Sequence, residues 1–165
     1  MAVEIERKFL VRSDAWRSLV THKARIRQAY LASGERSTTR VRITDGGEAT
    51  LTIKSKRADL RRIEIEYPIS VLDAEALLSL RLSGLIEKTR FTVPWNSHRW
   101  EVDVFCGDND GLVIAEIELH HESEAFDRPS WLGIEITGQS QYYNGPLARH
   151  PFRLWAASRS MLPAS

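Results

Sequence analysis

Apolar and charged positions alternate with period two along most of this chain. That is the signature of β-strands whose two faces meet different surroundings. The pattern runs through "AVEIERKFLV" (2–11), "ARIRQAYL" (24–31), "TTRVRIT" (38–44) and "EATLTIKSK" (48–56). It continues through "RRIEIEYPI" (61–69), "IEKTRFTVPW" (86–95), "HRWEVDVFCG" (98–107) and "GLVIAEIELH" (111–120). A short late segment, "GIEIT" (133–137), adds one more. Short turns join many neighbours, several carrying glycine, which predicts an antiparallel sheet. Helical spacing is rarer. It predicts helices over 13–20, over 71–84 up to Gly84, over 121–126, and from Pro146 into the C-terminal segment 143–160, with Pro151 a candidate break.

The alternation places like charges two apart on single strands. Arg40 and Arg42 flank Val41; Glu64 and Glu66 flank Ile65. Lys88 and Arg90, Glu101 and Asp103, and Glu116 and Glu118 repeat the arrangement, as do Glu4 and Glu6 before Lys8. Same-face neighbours on a strand stand roughly 6.6–7 Å apart, a range at which like charges oppose folding. One strand of this kind is an ordinary solvated face. Repetition over most of the sheet points instead to a curled sheet whose charged face lines a lumen. Gathered carboxylates supply hard oxygen donors for Mg²⁺ or Mn²⁺. Gathered Lys and Arg suit a phosphate chain. Carboxylates without metal would repel that ligand, so metal and polyphosphate are implied together.

Composition narrows the alternatives. The 165 residues are 42% hydrophobic and 27% charged, as in a globular domain, and form one predicted domain over 1–165. A formal net charge of +1 offers no bulk field for nucleic acid. Cys106 is the single cysteine, which excludes an intrachain disulfide and a cysteine zinc site. No apolar run approaches the roughly 20 residues of a membrane span, and the N-terminus does not read as a signal peptide. The expected location is the cytoplasm. No Walker loop or Gly-x-Ser-x-Gly elbow occurs. His120 and His121 are adjacent and face apart, an arrangement unsuited to joint metal ligation. The basic run Lys54–Arg57 with Arg61 and Arg62 is read as a solvated flank.

The ordered set of charged strands resembles the CYTH superfamily, the triphosphate tunnel metalloenzymes, in its small single-domain bacterial form. Its hallmark Glu-x-Glu-x-Lys strand matches Glu4, Glu6 and Lys8 in "EIERKFLV". "RQAYL" carries Tyr30, "RVR" Arg40 and Arg42, "TIK" Lys54, and "IEIE" Glu64 and Glu66. "EKTRF" supplies Lys88 and Arg90, "EVDVF" Glu101 and Asp103, and "AEIEL" Glu116 and Glu118. "WLGIEITG" and "YYNGPLA" resemble the closing segment. One departure is "GQSQYYN", where Gln139, Ser140 and Gln141 replace a charged run.

The resemblance implies a mainly β (α+β) fold: an eight-stranded antiparallel closed β-barrel forming a tunnel, with a few flanking helices. It implies Mg²⁺- or Mn²⁺-dependent hydrolysis of the terminal phosphoanhydride of triphosphates, inorganic triphosphate first, with two ions expected. By the resemblance, Lys8, Arg40, Arg42, Lys54, Lys88 and Arg90 hold the phosphates. Glu4, Glu6, Glu64, Glu116 and Glu118 hold metal, directly or through water. Lys8, Tyr30, Lys54 and Lys88 are the candidate catalytic residues. The expected partner is a small polyphosphate, with no nucleic acid and no membrane, bound by a monomer or homodimer. A class IV-type adenylyl cyclase, a nucleoside- or thiamine-triphosphatase, and a non-catalytic polyphosphate-binding module remain open. The roles of Glu66, Glu101, Asp103 and Glu135 are likewise open.

Overall fold

The computed structural model describes residues 5–56 and 63–155. Nine antiparallel strands form one sheet: β1 (Ile5–Val11), β2 (His22–Ser33), β3 (Ser37–Thr44), β4 (Glu48–Ser55), β5 (Glu64–Ile69), β6 (Ile86–Trp95), β7 (His98–Cys106), β8 (Val113–Leu119) and β9 (Leu132–Glu135). Their order across the sheet is β5-β4-β3-β2-β6-β7-β8-β1-β9. The expected eight-stranded closed barrel therefore needs two corrections. The late segment is a true ninth strand, and among the described residues β5 and β9 do not pair, so the ladder ends at two edges. These two strands span only 6 and 4 residues.

Register sorts the faces. Opposed residues in an antiparallel pair point to the same side. Lys8 faces Glu116, Glu116 faces Glu101, Arg90 faces Asp103 and Gln28 faces Arg42. Tyr30 faces Arg40, Arg40 faces Thr52, Thr52 faces Glu66 and Lys54 faces Glu64. With two-residue alternation, all these side chains lie on one inner face. The sheet curls enough for Arg42 on β3 to feel the charges of Glu66 on β5, Arg90 on β6 and Asp103 on β7.

The opposite face is apolar and packed. Phe9, Trp16, Val93, Trp100, Val102, Ala115, Ile117 and Trp131 are buried together. Trp100 meets Phe9 and Trp131 edge-on, at 5.6 and 5.7 Å between ring centroids. Full burial of one such side chain contributes roughly 1.5–3 kcal/mol. The cover here is a short 3₁₀ turn at Ala15–Leu19, where the pattern predicted a helix, and the loop carrying Phe126 and Trp131. Over β2–β4 the cover is α1 (Val71–Leu78), which buries Ala74 and Leu78 against Ala29, Val41, Ile43 and Ala49. Ser70 starts α1 by accepting the Asp73 N–H at 3.0 Å. The helix stops six residues before Gly84. Ser79 Oγ donates back to the Ala76 carbonyl at 2.5 Å, and Leu80 and Leu82 are left exposed.

A third cluster closes one end of the inner face. Ile86, Phe105, Ile114 and Leu10 continue the charged columns as apolar residues, and Leu147 and Ala148 of α2 (Asn144–Arg149) pack on them. The helix expected over 121–126 does not form. Glu124 accepts the His120 N–H at 2.5 Å and meets His98 Nε2 at 2.9 Å, which fixes a turn instead. In the turn joining β3 to β4, Gly46 and Gly47 take φ of +99° and +91°, where a side chain would be strained.

Candidate active site

The inner face is built as two halves. In the first, β1 and β8 bring Lys8 Nζ 2.6 Å from Glu116 Oε1 and 3.3 Å from Glu6 Oε2. Arg90 on β6 donates to Glu116 at 2.9 Å, to Glu101 at 2.5 Å, and to both oxygens of Asp103 at 2.7 and 2.8 Å. Lys88 donates to Asp103 at 2.5 Å. The second half is cationic on β3. Arg42 Nε donates to Gln28 Oε1 at 2.9 Å, and Arg40 donates to Thr52 Oγ1 at 3.3 Å. Beyond it, Lys54 lies 3.0 Å from Glu64, and the Thr52 hydroxyl donates to Glu66 at 3.0 Å.

The halves differ in charge balance. Lys8, Lys88 and Arg90 are all held by carboxylates. Among the described residues, Arg40 and Arg42 hydrogen-bond only to neutral side chains. Burial, then the positive charges of Arg40 and Arg90, lowers the Arg42 guanidinium to about 10. Burial likewise lowers Lys88 to about 8, although Asp103 opposes it. On the acidic side, burial would raise Glu116, but Lys88, Lys8 and Arg90 hold it well below the usual carboxylate range. Glu6 moves the other way, to about 7. Desolvation is the first cause and the neighbouring Glu116 the second. A pair of carboxylates pressed together in this way is the kind of donor set that a divalent cation relieves.

Most of the expected residues share this face, but not one point on it. Glu6, Glu116 and Lys8 are together, and Glu118 sits exposed beside them, opposite Glu6. Glu4 lies outside the described residues, as do Arg57, Arg61 and Arg62. Glu64, expected as a metal ligand, is on the edge strand with Lys54. Among the described residues no group of three His, Cys, Asp or Glu converges on a metal-sized position. Tyr30 is half-buried beside Arg40 and lines a side cavity of about 370 Å³ with Ser33, Leu82, Ser83 and Arg149.

Four residues whose roles were open are now placed. Glu101 and Asp103 bind Arg90, and Glu66 binds Thr52. Glu135 is on the outer face, where Arg7 grips it with two bonds of 2.7 Å. Gln28 carried no charge signal. Only its alternation with Tyr30 on β2 marked it for the inner face.

A CYTH domain model matches residues 2–148. The chain belongs to the CYTH domain family. The inorganic triphosphatase of Acetivibrio thermocellus is 40% identical over 154 residues, covering 93% of this chain and 97% of that protein. The inorganic triphosphatase of Nitrosomonas europaea is 36% identical over 149 residues, covering 88% and 96%. The crystal structure of the inorganic triphosphatase NE1496 superposes with a TM-score of 0.69 at 34% identity, covering 90% of this chain and 95% of that one.

Proposed function

We propose that this chain is a metal-dependent triphosphatase that cleaves the terminal phosphoanhydride of inorganic triphosphate on its inner face. The observation that carries this reading is the pairing of Arg40 and Arg42, which among the described residues hydrogen-bond only to neutral side chains, with a Glu6–Glu116 carboxylate pair on the same face. The naming of two curated relatives as inorganic triphosphatases supports it.

Arg40 and Arg42 stand two residues apart and can meet successive phosphates with paired hydrogen bonds. Lys8, Lys54, Lys88 and Arg90 complete the cationic lining and spread charge away from the transferring phosphoryl group. In this reading Lys8, Lys54 and Lys88 act on the reacting phosphate, and Tyr30 orients the chain's end beside Arg40. Glu6, Glu116 and Glu118, with Glu4 and Glu64, would hold Mg²⁺ or Mn²⁺ as one or two ions. The hard carboxylate oxygens fit such ions, which screen phosphate charge and acidify a bound water. Asp103 and Glu101 keep Arg90 and Lys88 in place. The partner is a small polyphosphate, and the working form is a cytoplasmic monomer or homodimer. No helix of the described residues is long and apolar enough to cross a membrane.

The test is phosphate release from inorganic triphosphate, ATP, thiamine triphosphate and pyrophosphate, each with Mg²⁺, Mn²⁺ or EDTA. Fastest release from inorganic triphosphate with metal is the expected outcome. Binding without release under every condition would leave a polyphosphate-binding module instead.

A further inference from the structure

Gln28 has no solvent exposure and lies on the inner face, opposite Arg42 on one side and Ile86 on the other. Its Oε1 accepts from Arg42 Nε at 2.9 Å. That bond fixes which end of the amide is which, because a guanidinium can only donate. The Nε2 end is buried and has no hydrogen-bond partner among the described residues. Two residues from Arg42 on the adjacent strand, Arg40 Nε is buried and also has no partner among the described residues. A buried donor without an acceptor is costly, and native structures satisfy nearly all of them. Three tryptophan Nε1 atoms are also unpartnered, at Trp16, Trp100 and Trp131. Those sit in the outer apolar cluster, where a mostly hydrophobic ring explains burial. Gln28 has no such explanation. Its side chain is an amide beside Arg42 on the face proposed to take phosphate.

We propose that Gln28 is a substrate-contacting residue: its Oε1 holds the Arg42 guanidinium, and its Nε2 donates to a phosphate oxygen of the bound polyanion. A glutamate here would also hold Arg42, but as an ion pair that removes both a donor and a positive charge from the site. A neutral amide orients Arg42 and leaves its charge available. The proposal rests on the triphosphate reading of the site, and extends it from the charged residues to a neutral one.

A double-mutant cycle separates contact from positioning. Gln28→Met, Arg42→Met and the double variant are titrated by calorimetry, with Mg²⁺ present, against a non-hydrolysable triphosphate analogue whose bridging oxygens are replaced by NH, and KM and kcat for triphosphate are measured with Mg²⁺. Circular dichroism confirms folding. If Nε2 touches phosphate, Gln28→Met weakens binding roughly threefold to tenfold even in the Arg42→Met background. If Gln28 acts only through Arg42, the double variant binds no worse than Arg42→Met alone, and the contact is refuted. Gln28→Glu keeps the acceptor and volume, so it serves should Met disturb packing. Wild-type affinity in that variant also refutes the proposal. A wild-type protein that binds triphosphate without cleaving it removes the hydrolytic reading alone.

Discussion

Lys88 Nζ lies 2.5 Å from Asp103 Oδ2, and each side chain is only 1% exposed. Asp103 also takes two bonds from Arg90, so one carboxylate fixes both cations of β6. Removing it takes from the buried Lys88 the carboxylate it donates to, while Arg90 keeps Glu101 and Glu116. Asp103→Ala is therefore expected to lose roughly 3–5 kcal/mol of stability, read by urea unfolding. Asp103→Leu combined with Lys88→Met should recover much of that stability and none of the activity. A fully stable Asp103→Ala protein would show that the pair is not held as described.

The same burial makes Lys88 sensitive to pH. Its folded value is lowered from the ordinary 10.5 to about 8, by burial first, against the pull of Asp103 and Glu116 and with the push of Arg90 and Arg42. Between those limits the unfolded chain holds a proton that the folded one has released. Stability from this group thus rises as pH climbs from about 8 to 10.5. Phosphate affinity moves oppositely, because the neutral amine no longer attracts an anion. The kcat/KM for triphosphate should fall above about pH 8 while the melting temperature does not fall with it. A flat kcat/KM profile to pH 10 would exclude Lys88 as a required cation.

Metal removal is expected to stop the reaction, since Glu6, Glu116 and a polyphosphate cannot share one face unscreened. Glu116→Gln should cost on the order of a hundredfold in rate at saturating Mg²⁺. Glu6→Gln should act in the same direction, and His120→Ala, in the exposed turn after β8, should change little. Full phosphate release in EDTA would remove the metal from the mechanism.

Much of the charged face was legible because a strand's two-residue period assigns each side chain to a face whatever its neighbours are. That logic put Lys8, Arg40, Arg42, Lys88, Arg90 and Glu116 together. Pairing was not legible. Whether Lys88 meets Asp103 or a phosphate depends on register between β6 and β7, set by the Asn96–Ser97 turn, and on exclusion of water. Gln28 was missed for a related reason, since an amide on a strand is unremarkable until its burial and its orphaned donor are seen. The helix expected over 121–126 failed because the Glu124 carboxylate bonds the His120 backbone, a local competitor that periodicity ignores. Closure is not seen among the described residues, and strand count says nothing about whether two short edge strands, β5 and β9, reach each other.

Glu135 offers a control for charge away from the site. Its bonds to Arg7 are the first cause lowering its carboxyl from 4.5 to about 2, and they tie β9 to β1. A depressed carboxyl stabilises above its unfolded value, and that contribution fades as pH falls towards the folded one. Glu135→Gln should lower the melting temperature at pH 7, and the gap from wild type should narrow between pH 4.5 and about 2. A gap that is constant with pH would mean the loss is one of packing rather than charge. Triphosphate kinetics at pH 7 should be unchanged, because the residue lies on the outer face.

Arg40 and Arg42 are expected to set affinity. Their partners, Thr52 and Gln28, are neutral, so these two guanidiniums are the cations best placed to exchange desolvation for phosphate contacts. Arg40→Ala and Arg42→Ala should each lower kcat/KM for triphosphate by at least tenfold, on the order of 1.4 kcal/mol or more. Lysine should rescue neither fully, because a point charge cannot make the paired bonds of a planar fork. With fewer cations the face repels anions more strongly, so the deficit should deepen as Mg²⁺ is lowered. Thermal shifts give an independent readout: added triphosphate raises the wild-type melting temperature and should raise that of either variant much less. Folded variants with unchanged kinetics and a wild-type thermal shift would show that β3 does not carry substrate, and the phosphate would have to sit against Lys8, Lys54, Lys88 and Arg90.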